Sequence, residues 1–182
     1  ARSGPASSTR DGWGAASYQG RDAALFREPV AASDNPLVRF LETQGPDTTL
    51  VISHIRRATH GAVTLANTQP FARELAGRTH VFAHNGLLPD IARSPHLAFE
   101  RYQPIGETDS EQAYCALLER LHQLWHLTSG PPPIEERLAL VAAFAADLRQ
   151  LGPANFLYAD GEVPFAHGHR RIPSVTGLIE PP

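Results

Sequence analysis

The chain has 182 residues, of which 42% are hydrophobic and 19% are charged, so it has room for one sizeable core and is expected to form a single domain over residues 1–182. A formal net charge of -3 without a clustered basic stripe argues against a nucleic-acid partner, and no apolar run approaches the roughly 20 residues that cross a bilayer, so no membrane partner is expected. A single cysteine, Cys115, excludes an intrachain disulfide framework and a cysteine-based zinc site, which favours a reducing, cytoplasmic location.

The first half of the chain predicts a hairpin, a short helix and two buried strands. "WGAASYQG" and "DAALFREP" read as strands around a tight turn at Gly20. A helix is predicted after them, with Asn35 as its cap, Pro36 at its first position and Gly45 as its stop. "TTLVISHIRRAT" and "THVFAH" are apolar enough to lie inside a sheet that is covered on both faces.

The second half predicts two helices and another hairpin. "ETDSEQAYCALLERLHQLW" has capping-box spacing at Thr108 and Glu111, and "IEERLALVAAFAADLRQLG" follows after a Pro-rich break. "NFLYADGEVPFAHG" reads as two strands around Asp160-Gly161, and "RIPSVTGLIEPP" contains no clear element. Strands, then helices, then strands indicate an α+β layered domain.

Polar residues stand where the two buried strands end. In "SHIRRATHG", Arg56 at a strand end can grip a carboxylate through two parallel hydrogen bonds, or it can form a structural ion pair. In "HNG", the Asn85 amide and the Gly86 N–H are two donors that can converge on a carbonyl oxygen that gains charge, but an Asn-Gly turn explains the same residues.

A third polar residue lies at the start of a helix. Asp109 falls in the first helical turn, where the helix dipole favours a carboxylate that can bind an ammonium group or remain solvated. Together, Arg56, Asn85 with Gly86, and Asp109 would hold an amino acid by both ends while its side-chain amide is attacked, and glutamine fits that description.

"DGWG", "SHIRRATHG", "NTQPF", "FAHNG" and "GETDSE" occur in an order that resembles class II glutamine amidotransferases of the stand-alone type. The resemblance implies an N-terminal nucleophile hydrolase fold, an αββα sandwich, and cleavage of the amide of glutamine or a γ-glutamyl compound without a metal or cofactor. It leaves open a partner enzyme that accepts the ammonia.

The resemblance also implies roles for individual residues. Arg56 corresponds to the residue that binds the α-carboxylate, with Thr59 and His60 shaping that pocket. Asn85 and Gly86 resemble the oxyanion hole, and Asp109 matches the residue that holds the α-amino group. The turn at Asn67, Pro70 and Phe71 is expected to be structural.

The family attacks with a cysteine at the mature N-terminus, whose own amine serves as the base. Here the first residue is Ala1, and Cys115 is expected to be a buried helix thiol, so the domain is expected to be incomplete at its N-terminus and open to extension at its C-terminus. The alternative is a non-catalytic glutamine or γ-glutamyl binding module. A histidine-ligated metallohydrolase, suggested by His54, His60, His80 and His84, lacks standard ligand spacing.

Overall fold

The structure is a computed structural model that describes residues 11–58, 61–128 and 130–169. Within these ranges the chain forms two antiparallel sheets, one with the strand order β2-β1-β3 and the other with the order β4-β5-β6-β7. The strands are β1 Gly12–Gln19, β2 Asp22–Glu28, β3 Val51–Arg56, β4 Phe71–Leu75, β5 Arg78–Gly86, β6 Ala154–Ala159 and β7 Pro164–His167. The α-helices are α1 Pro36–Gln44, α2 Asp109–Trp125 and α3 Ile134–Leu151.

The predicted N-terminal hairpin and short helix are confirmed. β1 and β2 pair around Gly20, whose φ of 65° lies in the left-handed region that glycine adopts without steric cost. The Asn35 side chain caps α1 by accepting hydrogen bonds from the N–H groups of Leu37 and Val38, and the helix ends at Gly45.

The second sheet contains one strand that the sequence patterns did not predict. β4 pairs with β5 through a turn at Ala76 and Gly77, whose φ values of 52° and 73° match a type I′ turn. The β6–β7 hairpin around Asp160-Gly161 is confirmed. The final stretch "RIPSVTGLIEPP" lies outside the described residues.

Both long helices are confirmed. The Thr108 side chain accepts a hydrogen bond from the N–H of Glu111 at the start of α2, and α3 ends at Gly152, whose N–H donates to the Leu148 carbonyl. Cys115 is fully buried in α2, as predicted for a structural thiol. No helix in the described ranges is both long and apolar enough to cross a bilayer.

β5 lies between two cores because its side chains alternate between its faces. Phe82 packs on Tyr114 of α2 and Phe144 of α3, in the larger core beneath the helices. Val81 and Ala83 point the other way, into a small core with Ala16, Ile52 and other residues of the first sheet. The second sheet is therefore covered by the first sheet on one face and by helices on the other, which confirms the α+β layered class.

Candidate active site

Arg56 ends β3 on the face that looks toward the second sheet, because it is in phase with the buried Ile52. Its side chain is only 5% exposed, and its guanidinium donates to the carbonyls of Gly61 (3.3 Å) and Ala62 (3.1 Å). Burial lowers the pKa of Arg56, an effect that the Asp11 carboxylate opposes. The loop after β3 thus holds this cation in place between the sheets.

Thr59 and His60, which the sequence placed in the same pocket, lie outside the described residues. The chain just before them is held by two hydrogen bonds. The Ala58 N–H donates to the Asp11 carboxylate (2.8 Å), and Asp11 N–H donates to the Arg56 carbonyl (2.9 Å). The β3 end and the segment before β1 therefore support each other.

Asn67 connects the Arg56 loop to the segment that starts α2. Its Nδ2 donates to the same Ala62 carbonyl that Arg56 contacts (3.0 Å), and its Oδ1 accepts from the Glu107 N–H (2.8 Å). A Cβ on Gly106 would lie 2.2 Å from Asn67 Oδ1, so only glycine permits this approach. These contacts support the structural role that was predicted for Asn67.

Asn85 and Gly86 form the end of β5, and their side-chain positions fall on opposite faces. Asn85 is in phase with Ala83, so it belongs to the face that looks toward the first sheet, and its side chain is exposed. A Cβ on Gly86 would lie 1.9 Å from the Pro153 carbonyl oxygen and 2.8 Å from His84 Nε2. The requirement for glycine therefore comes from close backbone packing, a reason that the "HNG" motif alone did not reveal.

Asp109 is joined to the chain that follows Gly86. Its Oδ2 accepts from the Leu88 N–H (2.7 Å) and its Oδ1 from the Ser110 N–H (2.8 Å). The half-buried carboxylate is thus neither a simple helix cap nor a fully solvated group. It ties the first turn of α2 to the end of β5.

The sequence patterns missed two further groups at this end of β5. Ser110 Oγ forms a 2.9 Å hydrogen bond with His84 Nδ1, and the Gln69 side chain hydrogen-bonds both the N–H (2.6 Å) and the carbonyl (3.1 Å) of His84. The sequence offered little signal for either group. Ser110 lies inside a capping motif, and Gln69 lies inside a turn whose role was expected to be structural.

Two histidines lie on the strands that contribute these residues: His84 on β5 is buried, and His54 on β3 is half-buried. Burial lowers the pKa of His84 to about 4 even though the Asp109 carboxylate opposes the shift, and the His54 imidazole adds to it. Burial also lowers the pKa of His54 to about 4, with Arg56 adding to the shift and a hydrogen bond to the His84 backbone opposing it. Both imidazoles are therefore neutral near pH 7.

These contacts link the predicted residues to one another. The Arg56 charge helps to lower the pKa of His54, and the His54 ring hydrogen-bonds the backbone of His84. Asn85 follows His84 directly in the chain. Asp109 reaches the same strand end through Leu88. In the described part of the chain, no group of three or more His, Cys, Asp or Glu side chains is placed to hold a metal ion.

The model of the family "Glutamine amidotransferases class-II" matches residues 1–179. The chain therefore belongs to the class II glutamine amidotransferases. It is 36% identical over 166 residues to an Escherichia coli protein with the provisional name glutamine amidotransferase YafJ, covering 91% of this chain and 63% of the relative. It is 38% identical over 157 residues to a Haemophilus influenzae protein with a similar provisional name, covering 86% of this chain and 51% of the relative. The chain thus spans about half to two thirds of the length of these curated relatives.

Solved structures support the same fold. A Pseudomonas aeruginosa protein assigned as a glutamine amidotransferase superimposes with a TM-score of 0.66 at 36% identity, over 95% of this chain and 68% of that one. Glutamine phosphoribosylpyrophosphate amidotransferase from Bacillus subtilis superimposes with a TM-score of 0.53 at 18% identity, over 84% of this chain and 30% of that one. These likenesses confirm the αββα layered sandwich.

Proposed function

We propose that this domain hydrolyses the side-chain amide of glutamine or of a γ-glutamyl compound. The observation that carries the proposal is the placement of Arg56 and Asn85 on facing inner faces of the two sheets, with Asp109 tied to the chain just beyond Gly86. A cation, an amide donor and a carboxylate then lie at the ends of β3 and β5 and at the start of α2. An α-amino acid with a side-chain amide has the complementary groups.

In this proposal the two charged residues bind the α-carbon end of the substrate. The Arg56 guanidinium pairs with the α-carboxylate, because its planar donors match carboxylate geometry, and Thr59 and His60 complete that pocket. The Asp109 carboxylate receives the α-ammonium group. Its hydrogen bonds from two backbone N–H groups keep the carboxylate in one orientation.

The Asn85 side-chain amide and the Gly86 N–H stabilise the oxyanion. A thiolate attacks the amide carbon, and the carbonyl oxygen becomes an anion between these two donors. When the tetrahedral intermediate collapses, ammonia or an amine leaves with a proton from the base and a thioester remains. Water then hydrolyses the thioester, which releases glutamate and regenerates the thiol.

Cys115 is not suited to be this nucleophile. It is fully buried in α2, and burial raises the pKa of its thiol to about 12, so thiolate is scarce near neutral pH. The proposal therefore includes an N-terminal cysteine outside these 182 residues, with its own amine as the base. A cytoplasmic location and a partner enzyme that accepts the ammonia belong to the same proposal.

The test uses the full-length protein with L-glutamine and a γ-glutamyl anilide, measuring ammonia or aniline release. Asn85→Ala should lower kcat by roughly 10² to 10³ because an oxyanion donor is lost. Gln103→Ala is the control, since Gln103 is exposed and its amide donates to the nearby Glu100 carbonyl. Full activity in Asn85→Ala would contradict the oxyanion role.

Calorimetry with glutamine separates hydrolysis from binding alone. Binding without turnover, in a full-length chain that lacks an N-terminal cysteine, would instead support the non-catalytic γ-glutamyl binding module.

A further inference from the structure

We propose that Gln69 is a positioning residue that fixes the oxyanion donors Asn85 and Gly86 by holding the backbone of His84. The inference rests on the proposed function, since it concerns the same donors. Gln69 itself is 6% exposed and acts through the strand rather than on the substrate.

The hydrogen bonds of Gln69 continue a β-ladder beyond the point where the strand partner ends. β4 pairs with β5 only as far as Phe71 opposite Phe82. Continued by two residues on both segments, the same register places Gln69 opposite His84. There the Gln69 side chain, with one acceptor and one donor, replaces the backbone partner by accepting from the His84 N–H (2.6 Å) and donating to its carbonyl (3.1 Å).

Glutamine is suited to this place because it carries the donor and the acceptor of a peptide group on a side chain. Pro70, the residue between Gln69 and β4, has no backbone N–H and cannot donate a hydrogen bond to the ladder. Without the Gln69 amide, two buried backbone groups of His84 would each lose a partner, a cost of roughly 1–3 kcal/mol per group. The strand end would then shift to recover partners.

The clamp, meaning the two hydrogen bonds between the Gln69 side chain and the His84 backbone, is itself held from the first sheet. A Cβ on Gly14 would lie 2.4 Å from the Gln69 carbonyl oxygen, so the glycine in β1 lets the Gln69 backbone pack against that strand. The His54 ring reaches the His84 backbone from β3. The peptide next to Asn85 is therefore fixed from both sheets, one residue before the first oxyanion donor.

The catalytic rate is sensitive to small displacements of the groups that contact the substrate, since a displacement of about 1 Å can lower the rate roughly 10²-fold. Loss of the clamp should mainly lower kcat rather than change KM, because the oxyanion forms only during the reaction. Arg56 and Asp109, which bind the α-carbon end, are held by other contacts: Arg56 by the Gly61 and Ala62 carbonyls, and Asp109 by the Leu88 and Ser110 N–H groups.

The experiment compares Gln69→Met and Gln69→Glu with wild type and with Gln103→Met, all in the full-length protein. Gln69→Met keeps a similar shape but removes both hydrogen bonds. Gln69→Glu keeps an acceptor for the His84 N–H, and its carboxyl group can donate to the His84 carbonyl only when it is protonated. Turnover of L-glutamine and a γ-glutamyl anilide gives kcat and KM, and thermal unfolding shows whether each variant folds.

We expect Gln69→Met to lower kcat by roughly 10- to 100-fold with KM within about threefold of wild type, and Gln69→Glu to recover part of the loss. Gln103→Met should match wild type. An unchanged kcat in Gln69→Met, or a change in KM alone, would overturn the inference while leaving the proposed function intact.

Failure of both Gln69 variants to fold would also overturn the inference, because it would make Gln69 a folding residue. If wild type turns over neither substrate, the proposed function fails and the positioning role fails with it.

Discussion

At the residue scale, Gly86 shows how tightly the backbone of β5 packs at the candidate site. A Cβ there would meet the Pro153 carbonyl oxygen at 1.9 Å, and the neighbouring Leu87 N–H already donates to that oxygen (3.1 Å). Because the obstacle is backbone, a side-chain rotation cannot relieve it. Gly86→Ala should therefore lower the free energy of unfolding by about 1–3 kcal/mol, the usual cost of overpacking, as measured by urea denaturation of the full-length protein.

Gly130→Ala is the matched control. A Cβ at Gly130 meets no atom within 4 Å, and its φ is not in the left-handed region. The same substitution there should be neutral or stabilising by up to about 1 kcal/mol, because alanine reduces the freedom of the unfolded chain. Equal effects at the two glycines would show that Pro153 does not constrain β5.

The motif residues could be identified from the sequence, but their immediate partners could not. "HNG" predicted that Asn85 and Gly86 stand together at a strand end, which the structure confirms. Pro153 and Gln69, which contact this strand end, come from other parts of the chain and carry no local signal of the contact. Such contacts depend on tertiary packing, which short-range patterns do not encode.

At the scale of elements, the first turn of α2 is held against the end of β5 by one carboxylate. Asp109 accepts from the Leu88 and Ser110 N–H groups, and an amide at this position can accept only through its oxygen. Asp109→Asn should therefore lower the free energy of unfolding by about 1–3 kcal/mol at pH 7.5. Chemical denaturation measures this directly, and calorimetry should show weaker glutamine binding in the same variant.

Glu107→Gln provides the control because it removes one negative charge from the same segment. The Glu107 side chain is exposed, and its backbone N–H donates to Asn67 Oδ1. Its stability should stay within about 0.5 kcal/mol of wild type, as is usual for surface substitutions. If both variants lose the same stability, net charge rather than the Asp109 hydrogen bonds is responsible.

The elements themselves followed the sequence closely where capping signals were present. Thr108 caps α2 as predicted, but the Glu111 carboxylate does not return to the cap residue. It binds the Arg73 guanidinium (2.6 Å) and the Gly106 N–H (2.7 Å) instead, because α2 packs against β4. β4 itself was missed, since its turn is Ala76-Gly77 rather than the Asn-Gly or Asp-Gly pair that usually marks a short hairpin.

At the scale of the whole molecule, three histidines that are buried or half-buried couple folding to pH. Burial lowers the pKa values of His54, His80 and His84 to about 4, whereas an unfolded chain has histidine pKa values near 6.5. Between pH 4 and 6.5 the unfolded chain binds protons that the folded chain does not. Acidification through this window therefore favours unfolding, and above about pH 7 these groups add no pH dependence because they are neutral in both states.

Each of these histidines should contribute up to about 1.4 kcal/mol per pH unit to the slope of unfolding free energy against pH. The measurement is urea denaturation of the full-length protein at several values from pH 5 to pH 8, above the range in which most carboxylates titrate. Stability should be flat near pH 7.5 and should fall steadily below pH 6.5. A flat profile down to pH 5 would contradict the burial of neutral imidazoles.

His80→Gln isolates one of these contributions away from the candidate site. His80 is fully buried beside Trp125, and its Nδ1 lies 2.7 Å from the Tyr158 hydroxyl. The variant should be less stable at pH 8, but its slope of unfolding free energy against pH should be smaller than that of wild type, by about half a proton at pH 6.5 and by close to one proton at pH 5. A wild-type slope in His80→Gln would mean that His80 binds its proton equally in the folded and unfolded chain.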